Sequence, residues 1–310
     1  MRWLASTVLA VTLVACSGPQ GTAPAGSPEP SPTVTRTELP SPAPSPVKRE
    51  ISFPGPRAPL PRGARGLYRE LTSVNRDLKR AIDRWQRDGG SLRNRSSRVV
   101  ALGALRQQRI YRELIVHPRR AAAVIERAGP SLKTIIRDHI EAGRGLRSLV
   151  TPLKRAGELP VTRPDDPRLL RRIYNRAAKR YGLDWQILAS LNFVESKFGR
   201  FMGPSSAGAL GPMQFMPATW DAYGGGGNVM DPRDAIPAAA AYLVASGAPE
   251  NMRGALWAYN HSYAYVDAIQ AYARHMRRNP RNFYAYYFWQ VFVITTRGDV
   301  QLSGPGTGYR

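Results

Sequence analysis

The chain has 310 residues, of which 43% are hydrophobic and 22% charged, with a formal net charge of +23. That length can bury one sizeable core and a smaller second one, while a lone cysteine, Cys16, excludes an intramolecular disulfide and any thiolate-rich metal site. A positive field of this size selects polyanionic partners, which include nucleic acid, an anionic membrane surface and an acidic wall polymer.

Residues 1–16 read MRWLASTVLAVTLVAC, a basic start and an apolar run too short to span a bilayer, ending in Leu13-Val14-Ala15-Cys16. This resembles the lipobox of bacterial lipoproteins. The resemblance implies cleavage before Cys16, acylation of that residue, and a location at the outer face of the cell membrane, in the periplasm or in the cell wall. Two or more acyl chains would hold the protein stably to a membrane. Export also removes nucleic acid as a partner, leaving lipid head groups and phosphate-bearing wall polymers to match the charge.

Residues 17–61 are dominated by Pro, Ser, Thr, Ala and Gly and lack apolar periodicity, so they are expected to form a disordered, semi-stiff tether. Over 62–157 apolar residues recur three and four apart, as at Leu67, Leu71, Val74, Leu78, Ile82 and Trp85, amid many arginines. The pattern predicts two to four helices in a basic accessory region, broken at Gly89-Gly90 and His117-Pro118. Their charge reads as a solvated face with a secondary affinity for anionic wall polymers.

A linker over 158–164 precedes a second helical region, 165–280. Asp166 before Pro167 is a helix start, and Gly182 a helix end. Asp184 is expected to cap a helix that runs through Glu195 and closes at Gly199. Further helices are expected over 234–246, 250–260 and 262–278, the last capped by Ser262. Residues 281–310 are aromatic and β-branched, which predicts a β-hairpin or extended tail packed on the helical body, turning at Arg297-Gly298-Asp299.

Glu195 carries the chemistry in this reading. Leu188 and Leu191 precede it by seven and four residues, so its carboxyl shares a helical stripe with core leucines. It also sits in the last turn, at the negative end of the helix dipole. Desolvation and the dipole both raise its pKa, as a general acid working near neutrality requires. The loop that follows, SSAGALGPMQFMPATW over 205–220, combines glycines, hydroxyls, Gln214 and apolar side chains, a combination suited to a sugar.

Glu195-Ser196, then Gly211-Pro212-Met213-Gln214 with Phe215-Met216-Pro217, then Ala258-Tyr259-Asn260 resemble, in order and spacing, the motifs of lytic murein transglycosylases. The strings GALGPMQFMPATW, DPRDAIPAAAAYL and AYNHS are most similar to the branch related to membrane-bound lytic transglycosylase B. The resemblance implies a mainly α, lysozyme-like catalytic domain over 165–280. It also implies cleavage of the β-1,4 bond between N-acetylmuramic acid and N-acetylglucosamine in peptidoglycan, with a 1,6-anhydro product. On this resemblance Glu195 is the catalytic acid and then base, Ser205 orients the N-acetyl group with Ser206 as a competitor, and Met213, Gln214, Tyr259 and Asn260 bind substrate. Trp220, Tyr223 and Tyr263 are candidate sugar platforms, and Ser196 a support for the helix end. His117, His139, His261 and His275 show no metal-ligand spacing, and no EF-hand loop is present, so neither metal nor cofactor is expected. Asp231 and Asp234 read as helix caps. Two rival readings are a muramidase, with Asp221, Asp231 or Asp234 activating water, and a peptidoglycan-binding scaffold without turnover.

Overall fold

A computed structural model describes residues 50–157 and 159–307. Cys16, the leader over 1–16 and the tether as far as residue 49 lie outside the described residues. Four helices fill the basic region: α1 (Ala64–Arg87), α2 (Arg95–Val116), α3 (Pro118–Glu126) and α4 (Pro130–Ser148). The α1 stripe from Leu67 to Trp85 is buried, as its spacing predicts. Gly89 and Gly90 turn the chain with φ of 85° and 62°, which glycine adopts at no steric cost.

The second helical region holds α5 (Pro167–Tyr181), α6 (Trp185–Ser196), α7 (Pro217–Tyr223), α8 (Pro232–Ala245), α9 (Met252–Tyr259) and α10 (Tyr263–Arg278). Asp166 caps α5 by accepting from the Arg168 amide at 2.8 Å, and Gly182 closes it in the left-handed conformation. Asp184 precedes α6 without capping it through its side chain; its carboxylate pairs with Arg277 instead. Ser262 likewise precedes α10 without a side-chain cap.

The C-terminal segment is only partly extended. Residues Arg281–Tyr287 form α11, and a hairpin follows, β1 (Phe292–Thr295) against β2 (Gly298–Gln301), antiparallel with Phe292 opposite Gln301 and Thr295 opposite Gly298. Phe283, Tyr286 and Tyr287, spaced three and four apart, are all buried, a helical period that outweighs the β-propensity of aromatic residues. The turn lies at Thr296-Arg297, and Gly298 and Asp299 already belong to β2.

The tether also ends earlier than its composition suggests. On α2, Arg109 donates to the carbonyls of Pro56 and Ala58 at 2.7 and 2.9 Å, and Arg106 to those of Ala58 and Pro59 at 2.7 and 2.9 Å. Extended, proline-rich backbone has carbonyls without internal partners, and guanidinium forks supply the donors. Phe53 lies so close to Gly103 that a Cβ there would come within 2.6 Å of its ring. Residues 50–61 are thus strapped onto α2.

One apolar cluster runs from Leu67 in α1 to Trp289 after α11. α10 lies at its centre, packed on α4, α6 and α9. Around it Phe193, Tyr272, Tyr286 and Trp289 form an aromatic knot, in which His139 stacks 4.1 Å from Tyr111 and 4.4 Å from His275. The core therefore draws on all three regions that the sequence divides.

Candidate active site

α6 is buried on nearly every side, from Ile187 to Phe193 and again at Ser196, as a central helix must be. It closes at Ser196 rather than Gly199. Lys197, Phe198 and Gly199 then follow in the left-handed region with φ of 54°, 61° and 81°, a conformation that costs L-residues other than glycine of order 1–2 kcal/mol each. The Lys197 and Phe198 amides return to the carbonyls of Phe193 and Asn192, and the Lys197 ammonium donates to the Phe193 carbonyl at 2.9 Å. These bonds satisfy carbonyls that the end of a helix would leave unpaired.

A buried network fixes this helix end to the glycine loop. Tyr174 donates to Asn192 Oδ1, Asn192 Nδ2 donates to the Pro212 carbonyl at 2.7 Å, and Ser196 Oγ lies 2.7 Å from the same carbonyl. Ser196 Oγ also accepts from the Gly199 amide at 2.8 Å. Gly211 has φ of 75°, and a Cβ there would fall 2.0 Å from the Val229 carbonyl, so only glycine lets the loop pass.

Glu195 is thereby held, partly buried, in the last turn of α6. Its Oε1 accepts a hydrogen bond from the Tyr265 hydroxyl on α10. Burial pushes the carboxyl from its ordinary 4.5 up to about 7, against the Tyr265 bond and the Lys197 charge, which both favour the anion. The same burial, with Arg112 nearby, lowers the Lys197 ammonium from 10.5 to about 8. Tyr259 and Tyr265 are pushed well above 10 by burial and by Glu195, so both stay protonated and can donate.

Glu195 opens into a cleft of about 310 Å³ whose lining includes Asn260, a volume at the lower end of the range for small-ligand sites. Exposed and on the same cleft as the carboxyl, Asn260 stands where an amide could meet a sugar. The other expected binding residues do not line this cleft. Tyr259 donates to the Met213 carbonyl at 2.7 Å, tying α9 to the glycine loop. The Met213 side chain is fully buried: in this loop the apolar side chain fills the core and the backbone oxygen accepts from Tyr259. Gln214 turns its amide nitrogen back onto the Gly211 and Gly203 carbonyls at 3.0 and 3.3 Å. Ser205 Oγ accepts from the amides of Ala207 and Ala209 at 3.2 and 3.0 Å, closing its own turn, while Ser206 is exposed.

Of the aromatic candidates, Tyr263 is 64% exposed, whereas Trp220 packs edge-on against Phe215 and Tyr223 against Tyr242. Asp231 caps α8 through the Arg233 amide at 2.7 Å, and Asp234 accepts from the Asn228 amide at 2.9 Å. Asp221 is exposed, and none of the three lines the Glu195 cleft. The second carboxylate there is Asp299, delivered by β2 from beyond the second helical region. Among the described residues no three His, Cys, Asp or Glu side chains converge on a metal position.

Tyr265, Lys197, Asn192, Arg112 and Asp299 have no signature in local sequence. Lys197 alone gave a hint, as a cation two residues from Glu195.

Residues 172–281 match the family model described as Transglycosylase SLT domain, a family of lytic transglycosylases with a lysozyme-like fold. The match supports an enzyme acting on the glycosidic bonds of peptidoglycan. Searches of the curated proteins and of the solved structures returned no significant match.

Proposed function

We propose that this chain is a lytic transglycosylase of the branch related to membrane-bound lytic transglycosylase B. It would cut the β-1,4 bond between N-acetylmuramic acid and N-acetylglucosamine without water and leave 1,6-anhydro ends. The observation that carries this reading is the Glu195 carboxyl, which lies in the matched segment, is raised to about 7 where it lines the cleft, and has Tyr265 on one oxygen. Near neutrality such a group is comparably populated as acid and as base.

With Oε1 engaged by Tyr265, Oε2 carries the proton. Glu195 gives that proton to the bridging oxygen as the C1–O bond breaks and positive charge develops at C1 of the muramic acid. The substrate's own N-acetyl oxygen shares that charge. As carboxylate, Glu195 then takes the proton of the C6 hydroxyl, whose oxygen bonds to C1 and closes the anhydro ring. One carboxyl completes the cycle, where a hydrolase uses two. Asp299 is the alternative partner for water, but two guanidiniums hold its oxygens at 2.5 and 2.7 Å and so compete with a water molecule for them.

Mass spectrometry of the fragments released from purified sacculi tests this. Anhydro-muropeptides from the wild type and none from Glu195→Gln support the reading. Reducing ends would make the protein a muramidase and turn attention to Asp299, and no release by the wild type would favour a binding scaffold. Anchoring through an acylated Cys16 and affinity of the basic helices for anionic wall polymers belong to the same proposal. Cys16→Ser should then release the protein from membranes.

A further inference from the structure

One wall of the Glu195 cleft is cationic and comes from outside residues 172–281. Arg112 on α2 lies 4.4 Å above the Phe292 ring of β1 and donates to Asp299 Oδ2 at 2.5 Å, and Arg147 on α4 donates to Asp299 Oδ1 at 2.7 Å. Both arginines line the cleft, as does Lys197. Three cations therefore face two carboxyls, and Glu195 is neutral for part of the time near pH 7. The lining has a surplus of positive charge. It also has a spare donor, since Arg112 Nε is buried without a hydrogen-bond partner, a state that costs stability unless a ligand completes it.

We propose that Arg112, Arg147 and Lys197 form a subsite for a carboxylate of the peptide stem carried by the muramic acid at the scissile bond. The inference rests on the peptidoglycan reading of the cleft and goes beyond it by naming which part of the substrate the second wall takes. Where a stem is attached, the lactyl carboxyl of the muramic acid is an amide and the glycan backbone is uncharged, so an anion near the reacting C1 must come from the stem. That stem leaves the same muramic acid that Glu195 attacks, and each of its residues reaches about 3.5 Å, so its first carboxylates lie within a few residues of the acid. Guanidinium forks match carboxylates in shape as well as charge. Asp299 keeps the two forks apart and oriented before substrate arrives, and Phe292 supports one of them from below. The stem carboxylate would take the unused Arg112 Nε–H and the Lys197 ammonium.

The test compares kcat/KM on peptide-bearing glycan strands with that on the same strands after their stem carboxylates have been converted to amides. The wild type should prefer the strands with free stem carboxylates, and Arg147→Gln should cut that preference about tenfold, mainly through KM, the scale of one charge-assisted hydrogen bond. Asp299→Asn, which keeps shape but removes the internal counter-charge, should raise the preference; a purely structural role would slow both substrates alike and leave the ratio fixed. An unchanged ratio in both variants overturns the subsite. If the wild type cut neither strand, the functional reading would fall instead, and calorimetric titration with the free stem peptide would decide the subsite: binding weakened by Arg147→Gln sustains it, and no binding refutes it.

Discussion

Tyr265 on α10 donates its hydroxyl to Oε1 of Glu195 on α6, across 70 residues of sequence. The bond fixes which carboxyl oxygen faces the cleft and lowers a pKa that burial has raised. Tyr265→Phe removes the bond without leaving a polar group behind. The anion then loses a partner, so the Glu195 pKa rises and the pH optimum of turnover moves upward by about one unit. The rate at the optimum should fall about tenfold from lost orientation. A pH–rate profile of the two proteins checks both; an optimum that stays in place would show that the hydroxyl does not act on Glu195.

Glu195→Gln should abolish turnover and also stabilise the fold in a pH-dependent way. Below pH 4.5 the carboxyl is neutral in both folded and unfolded chains, so it contributes nothing. Between 4.5 and 7 the unfolded chain ionises first, which favours unfolding, and above 7 the penalty is complete. The full shift corresponds to at most about 3 kcal/mol. Urea unfolding of both proteins at pH 4 and pH 8 should therefore give matched stabilities at the lower pH and a more stable variant at the higher.

Asn192→Leu keeps side-chain volume but leaves the buried Tyr174 hydroxyl without its acceptor. Stability should fall by about 1–3 kcal/mol, the desolvation cost of one unpaired hydroxyl. Because Asn192 also holds the Pro212 carbonyl, the glycine loop should loosen, which faster amide exchange at 211–215 would report.

Gly211→Ala adds one methyl group where the Val229 carbonyl lies only 2.0 Å from the Cβ position. The φ of 75° adds strain of its own, of order 1–3 kcal/mol. Turnover should be lost while the helical circular dichroism of the rest of the chain persists. A fully active variant would mean that the loop can move aside at no cost.

Local chemistry made much of this molecule legible. The Asp166 cap, the Gly182 terminus and the α1 stripe are each decided within one or two helical turns, and they appear as expected. The placement of Glu195 beside core leucines led to a raised pKa by the same logic. Contacts decided by tertiary packing were not visible. A methionine in a glycine loop can face a sugar or the core, and only the fold puts Met213 inside. Lys197 takes a left-handed conformation usually left to glycine, so the helix end was placed three residues late. Tyr265 reaches Glu195 from a later helix, and Arg112 meets Asp299 across 187 residues, so no periodicity could join them.

That last pairing ties function to the order of synthesis. A ribosome delivers the chain from its N-terminus, so α2 and α4 emerge first, Glu195 follows, and Asp299 comes only after all of them. Until β2 is made, Arg112 and Arg147 have no shared counter-ion and the cleft lacks its final wall. A chain interrupted between residues 195 and 299 would carry Glu195 but not the finished cleft, so the acid is made well before the wall that encloses it.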